Sequence, residues 1–198
     1  MVAQQYKIVL ASNSPRRREL LAGLDIDFEV RVIKGIDERY PHDLPTLKIA
    51  EYISKKKAAA YLETIAPDEL VITADTVVIL GNQVLGKPRD EAEACRMLRQ
   101  LSGQTHQVVT GVTLTTRHCQ KSLSVVTDVT FRTLSEEEIN YYVSKYKPLD
   151  KAGAYGIQEW IGYIGVTALN GSYFNVVGLP VQRIYEALLS FGDETQNR

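Results

Sequence analysis

Along the chain, apolar positions switch repeatedly between the two-residue period of strands and the 3.6-residue period of helices. Lys7–Leu10 carries the run Ile8-Val9-Leu10 and predicts a short buried strand. A helix follows at once from Pro15 to Ala22, with Ser14 as N-cap, Pro15 at the first helical position and Gly23 closing it. Phe28–Ile33 alternates as a second strand. After the polar stretch Lys34 to Pro45, the residues Leu47, Ala50, Ile53, Ala58 and Tyr61 recur at helical spacing and predict a helix from Leu47 to Leu62.

Val71–Ala74 and Thr76–Leu80 read as apolar β structure, turned by Gly81-Asn82-Gln83 into Val84-Leu85. Asp90 caps a helix through Leu101, with Glu93 completing a capping box and Gly103 at the stop. Gln107–Thr115 and Ser122–Thr133, rich in Val and Thr, predict two long strands of a hairpin. Ser135 with Glu138 forms another capping box and opens a helix to Tyr146. Ile161–Ala168 and Tyr173–Val177 predict a hairpin around the turn dipeptide Asn170-Gly171. Pro180 then starts a last helix with Val181, Ile184, Leu188 and Leu189 on one face. Strands and helices interleaved without a linker, low-complexity segment or repeat give an α/β fold with a mixed, twisted sheet and flanking helices.

Composition narrows the function classes. The 198 residues suit one globular domain, or one elongated domain of two lobes, with chain enough for a real core. With 23 Lys+Arg against 24 Asp+Glu, net charge −1, nothing global would hold a nucleic-acid backbone, so no nucleic-acid partner is expected. Any phosphate site must be local. The two cysteines, Cys95 and Cys119, are too few for a disulfide framework, and reduced thiols in a cytoplasmic protein are the expectation. Met1 to Leu10 lacks the basic flank and long apolar core of a signal peptide. The most apolar stretch, Leu70 to Leu80, is broken by Asp75 and falls short of the ~20 apolar residues a spanning helix needs, so no membrane partner is expected either. The Asn170-Gly171-Ser172 sequon reads as a turn.

Four places break local rules, and rule-breaking marks function. In Ser12-Asn13-Ser14-Pro15-Arg16-Arg17-Arg18, arginines fall in the first turn of the helix, where cations cost about 0.3–1 kcal/mol each. Open backbone N–H groups together with guanidinium groups suit a phosphate ligand, although the arginines could equally lie along a solvated face or pair with Glu19. Asp75 sits in an apolar run, where a lone charge is expensive to bury and calls for a divalent cation, an arginine or a proton. It reads either as a general base or metal ligand, or as a turn aspartate between two strands. Gly35-Ile36-Asp37-Glu38 offers adjacent carboxylates suited to Mg²⁺ or Mn²⁺, or simply a solvated acidic loop. Lys151-Ala152-Gly153-Ala154-Tyr155-Gly156-Ile157-Gln158 lets a backbone approach a flat ligand closely, and Gln158 offers the donor and acceptor that a pyrimidine edge requires. Taken alone, it is an ordinary tight turn.

Gly81-Asn82-Gln83-Val84-Leu85-Gly86-Lys87 matches the start of a P-loop, but Pro88 replaces the metal-binding Ser/Thr, so only Lys87 stays a phosphate candidate. His42, His106 and His118 show no metal spacing. Cys95 reads as a packed thiol, and Tyr141, Tyr142 and Tyr146 as core and edge packing. Lys55-Lys56-Lys57 reads as a solvated face with a Glu51–Lys55 pair, from which Lys57 could turn inward.

In order, these places resemble the motif series of the Maf family of nucleoside-triphosphate pyrophosphatases. The matching pieces are Ala11-Ser12-Asn13-Ser14-Pro15-Arg16-Arg17, Gly35-Ile36-Asp37-Glu38, Ala74-Asp75-Thr76-Val77-Val78 and Gly86-Lys87-Pro88-Arg89-Asp90. Leu101-Ser102-Gly103-Gln104-Thr105-His106, Asp150 to Gln158, Asn170-Gly171-Ser172-Tyr173 and Val177-Gly178-Leu179-Pro180 continue the series. The resemblance implies a single domain over residues 1–198, two lobes around a central cleft, a fold like that of the inosine-triphosphate pyrophosphatases, and often a homodimer. It implies hydrolysis of a nucleoside triphosphate to the monophosphate and pyrophosphate with a divalent cation, Mg²⁺ or Mn²⁺. The Ala-Tyr-Gly-Ile-Gln form of the fifth motif is similar to the branch acting on dTTP and UTP. Carried over by position, the resemblance makes Asp75 the general base, Lys57 and Lys87 further active-site residues, and Arg16, Thr76 and Gln158 the specificity positions. Ser12, Ser14 and Arg17 complete the substrate side, and Glu38 joins Asp75 as metal ligand, with Asp37 in place of a Glu common there. Other readings are a non-catalytic nucleotide-binding regulator of cell division and a Maf hydrolase of different base preference, for instance toward modified pyrimidines.

Overall fold

The structure, a computed structural model, describes residues 6–193. Its seven strands form a sheet of order β2-β1-β3-β5-β6-β7, with β4 paired to β3. The strands are β1 (Lys7–Leu10), β2 (Phe28–Val30), β3 (Glu69–Leu80), β4 (Gln83–Leu85), β5 (Thr105–Thr115), β6 (Gln120–Phe131) and β7 (Val166–Asn170). Parallel pairing of β1 with β2 and β3, and antiparallel pairing of β3 with β4 and β6 with β7, make the sheet mixed, as the interleaved pattern predicts. The chain divides into two compact units: Met1–Asp75 with Thr110–Val125 and Gly178–Arg198, and Thr76–Val109 with Val126–Val177. The division falls inside β3, β5 and β6.

In the first unit, alternation along β1 and β3 places side chains in two separate apolar clusters. Ile8, Leu10, Leu70 and Ile72 pack with Leu21 of helix α1 (Pro15–Ala22), Val112, Leu114, and Ile184 and Leu188 of helix α7 (Val181–Asp193). The intervening Val9 and Val71 pack instead with Tyr61 and Ile65. Strands buried on both faces explain the near-continuous apolar runs. Helix α2 (Ile49–Ala59) follows a single 3₁₀ turn, Thr46–Lys48, so Leu47 lies outside its buried stripe and is 43% exposed, against expectation. Leu189, likewise expected on the buried face of α7, is 46% exposed, while Val181, Ile184 and Leu188 are buried. β2 ends at Val30 rather than Ile33 because the Tyr61 phenol intervenes: it donates to the Arg31 carbonyl and accepts the Ile33 N–H, each at 2.9 Å.

The second unit gathers on Val78, Leu98, Leu101, Val129, Phe131, Tyr142 and Ile161. Helix α3 (Glu91–Leu101) is capped by Asp90, whose Oδ1 accepts the Glu93 N–H at 2.7 Å. The expected second half of that capping box is displaced by one residue, since the Glu93 carboxylate takes the N–H of Arg89 and its guanidinium instead. Helix α4 (Glu136–Tyr146) carries the complete Ser135–Glu138 box. The expected hairpin around Asn170-Gly171 does not form. Trp160–Gly165 is helix α5, β7 pairs with β6, and Tyr173–Val177 is a short helix, α6. Buried Asn175 overrides the β propensity of its aromatic and branched neighbours: its Nδ2 donates to the Val108 carbonyl and the Thr127 hydroxyl, each at 3.0 Å, while its N–H reaches Ser172 Oγ. Among the described residues no helix is long and apolar enough to cross a membrane.

Two expectations follow for stability. Gly111 of β5 lies so close to α2 that a Cβ there would meet the backbone of Ala50 and Glu51 at 2.3 Å. Gly111→Ala forces strand and helix apart and lowers the unfolding free energy in urea by about 3 kcal/mol, as overpacking of a tight core does. In the same unit Arg31 donates to both oxygens of Glu69, at 2.9 and 2.5 Å, and holds that carboxyl down from 4.5 to about 2. A depressed carboxyl stabilises the fold above its unfolded value, and that contribution is lost as pH falls from 4.5 through about 2. The urea midpoint of the native chain therefore drops across that window, and Glu69→Gln shows less of the drop.

Candidate active site

The first unit builds a charged cluster from the start of α1, the loop after β2, the last turn of α2 and β3. At the end of β1, Ser12 is buried and its Oγ accepts the Ser14 N–H at 3.2 Å. Ser14 Oγ in turn accepts the Arg17 N–H at 3.4 Å, so the predicted cap and the proline at the first helical position of α1 are both present. No acidic residue occupies that first turn; Arg16, Arg17 and Arg18 do. Arg17 does not extend along a solvated face. Its Nε donates to the Gly178 carbonyl at 2.8 Å and its Nη1 to the Ala74 carbonyl at 2.9 Å. The helix start is thereby tied to the residue preceding Asp75. Burial pulls the Arg17 guanidinium below its ordinary value, with the Asp75 charge acting the other way.

Asp75 stands inside the unbroken strand β3, not in a turn between two strands. Its side chain is 14% exposed and Oδ1 receives Lys57 Nζ at 2.8 Å. Lys57 comes from the last turn of α2, where a cation also meets the negative end of the helix dipole. It is 15% exposed and reaches Glu38 Oε1 as well, at 3.1 Å. Two carboxylates thus converge on one ammonium group, and the cation that compensates Asp75 is a lysine. Glu38 lies on the loop that Ile36 fastens against Val9, Tyr61 and Val71. Its neighbour Asp37 is engaged elsewhere, by the Arg39 guanidinium at 2.8 and 3.1 Å and by Lys56 at 3.3 Å, which hold its carboxyl well below the usual range. Of the adjacent pair, it is Glu38 that joins Asp75.

Thr76, Lys87 and Gln158 belong to the second unit. Thr76 is half-buried on β3, and Lys87 is exposed in the loop after β4. That loop is bound to the small-residue segment, since the Gly153 N–H donates to the Gly86 carbonyl at 3.1 Å. The segment itself is strained: Gly153 and Ala154 both take left-handed backbone angles, φ 68° and 59°, the latter unusual for a residue with a side chain. The next residue, Tyr155, shares a 2.7 Å hydrogen bond with His106 Nε2. Burial pulls His106 down to about 4, so the imidazole is neutral at pH 7. Gln158 ends the segment with its Oε1 buried and holding no hydrogen bond.

Beside Gln158, the sequence does not single out Glu159, marks Lys151 only as the head of the small-residue segment, and marks Tyr142 only as packing. Tyr142 donates to Glu159 and accepts the Gly156 N–H at 3.0 Å, and Lys151, almost fully buried, meets Glu159 at 3.1 Å and Asp150 at 2.8 Å. Lys151 beside three small residues, followed eight positions later by Glu159, was the available signal; nothing local linked either to Tyr142. Cys95 is a packed thiol as expected, its Sγ 3.6 Å from Asn140 Oδ1 and pushed up by burial.

The family described as Maf-like protein matches residues 7–191. The chain is similar to a protein named dTTP/UTP pyrophosphatase from Phocaeicola vulgatus, 61% identical over 93% of this chain and 96% of that one. Proteins of the same name from Bacteroides thetaiotaomicron (58% identical; 93% and 95% covered) and Parabacteroides distasonis (59%; 95% and 97%) are also similar to it. A match spanning all the segments that carry Ser14, Glu38, Asp75, Lys87 and Gln158 places this chain in the Maf-like family.

Proposed function

We propose that the chain is a hydrolase that cleaves dTTP and UTP to the nucleoside monophosphate and pyrophosphate. The observation that carries this reading is the pairing of Asp75, inside apolar β3, with Lys57, beside the arginine-rich start of α1. The Asp75 carboxylate, held by Lys57 through Oδ1, retains lone pairs able to take a proton from water. The start of α1 supplies the positive end of a helix dipole with no acidic residue in its first turn, and the Arg16 guanidinium is the group proposed for phosphate oxygens. Lys57 and Lys87 add positive charge. Water attacks the α-phosphorus and passes a proton to Asp75; the bond from that phosphorus to the bridging oxygen breaks, and pyrophosphate leaves.

Glu38 and Asp75 both border the Lys57 ammonium group, and their remaining oxygen lone pairs are the donors that would hold Mg²⁺ or Mn²⁺, since such ions take one or two protein carboxylates together with substrate phosphates. When bound, the ion neutralises charge on the phosphate oxygens. Among the described residues no cluster of three or more His, Cys, Asp or Glu side chains could hold a metal ion.

For the base, Gln158 supplies the matching edge. Its buried, unpartnered Oε1 is an acceptor for the N3–H of uracil or thymine, and its Nε2 a donor to O4. A base presenting the opposite pattern leaves that oxygen without a donor, which is a strong basis for rejection. The names of the similar proteins, dTTP/UTP pyrophosphatase, support the same substrates.

The test is a panel of nucleoside triphosphates with Mg²⁺ and Mn²⁺, scored for monophosphate and pyrophosphate. UTP and dTTP are expected to be turned over fastest; orthophosphate with nucleoside diphosphate would move the attack to the γ-phosphorus and reject the proposal. Asp75→Asn keeps the shape and removes the proton acceptor, so pyrophosphate release falls at least ~100-fold.

A further inference from the structure

The segment carrying Gln158 is closed into a ring by side chains behind it. Gly156, Ile157, Gln158 and Glu159 form a turn in which the Glu159 N–H donates to the Gly156 carbonyl at 3.0 Å. The two ends of that turn are joined a second time through Tyr142. The Gly156 N–H donates to the phenol oxygen at 3.0 Å, and the phenol donates to the Glu159 carboxylate. Glu159 then caps α5 through its carbonyl, which accepts the Gly162 N–H at 2.9 Å, and Lys151 Nζ lies 3.1 Å from its carboxylate. Gln158 is held between the two clamped residues.

A Cβ on Gly156 would fall 3.0 Å from the Glu159 carboxyl carbon and 3.1 Å from Gln158 Nε2, so both side chains reach back over this glycine. The amide oxygen of Gln158 is buried and unpartnered, on the residue that the clamp flanks on either side. Tyr142 is itself fully buried, with its ring stacked on Tyr146 at 5.0 Å, and burial together with the Glu159 hydrogen bond pushes its phenol up, so it remains a donor throughout the working range of pH. An amide reads a base only if its oxygen and nitrogen keep their places, because a flipped amide presents the pattern that suits cytosine.

We infer that Tyr142, through the ring it closes between Gly156 and Glu159 and the Lys151 pair behind it, is a positioning residue that fixes the Gln158 amide and so sets the preference for uracil and thymine over cytosine. This rests on the proposed role of Gln158 and extends it to residues that do not meet the base.

The experiment measures kcat and KM for UTP and CTP in the native chain, Tyr142→Phe, Glu159→Ala and Glu159→Gln, with hydrogen exchange of the amides of residues 155–160 in each. Tyr142→Phe keeps the ring packing, so the fold survives. The inference expects its UTP-to-CTP ratio of kcat/KM to fall at least ~10-fold, the loss lying in KM for UTP, because orientation and not the proton acceptor is altered. Amide exchange at Gly156 and Glu159 accelerates in step. Glu159→Ala follows Tyr142→Phe, and Glu159→Gln, which keeps an acceptor for the phenol, restores most of the ratio. A native preference that persists in Tyr142→Phe, or a loss shared equally by UTP and CTP, overturns the inference alone. A native chain without preference for UTP overturns the reading of Gln158 and this inference together.

Discussion

A carboxylate inside apolar β structure is tolerated only where a cation meets it, and in this chain that constraint organises the phosphate side of the site. Asp75 interrupts the most apolar strand, and Lys57 reaches it from α2 while Glu38 reaches the same lysine from the loop after β2. The pairing fixes three segments at once. Arg17 adds a fourth by bonding the Ala74 carbonyl, so the arginine-rich helix start and the aspartate are held in register through the backbone. Removal of Lys57 takes from Asp75 the cation that compensates it, and removal of Arg17 takes from the Ala74 carbonyl its guanidinium donor. The local arrangement that breaks ordinary helix and strand rules is therefore also the one that holds the site together.

The residues divide by chemistry. Of the residues proposed for the triphosphate, Ser14, Arg16, Arg17, Glu38, Lys57 and Asp75 lie in the first unit and Lys87 in the second. The residue proposed to read the base, Gln158, lies in the second unit, on a strained segment held by Gly86, His106 and Tyr142. In the second unit the supporting groups are neutral or internally paired: a neutral imidazole, a protonated phenol and a Lys151–Glu159 pair. A hydrogen-bonding edge surrounded by satisfied groups discriminates by pattern rather than by charge, which suits the selection of one pyrimidine over another.

Much of this was legible in the sequence where the signal is local. Caps at Ser14, Asp90 and Ser135 announce the starts of α1, α3 and α4, and an aspartate in an apolar run announces a compensating cation. Signals that depend on distant partners were not legible. β3 runs through Asp75 without a break because Lys57 removes the need for a turn there. Tyr173–Val177 coils because Asn175 is anchored to Val108 and Thr127, far away in sequence. Leu47 and Leu189 fit a helical period, yet lie outside the buried stripes that tertiary packing selects. Tyr142 looked like one member of an aromatic helix face, and its hydroxyl acquires a role only when Gly156 and Glu159 are brought to it.

The most direct test of the central claim is a crystal structure with Mg²⁺ and a UTP analogue whose α,β-bridging oxygen is replaced by an imido group. The account predicts the Asp75 carboxylate facing the α-phosphate across one water molecule, with Lys57 and Glu38 beside it. An analogue bound with its triphosphate remote from Asp75, the Lys57–Asp75 pair untouched, would contradict it.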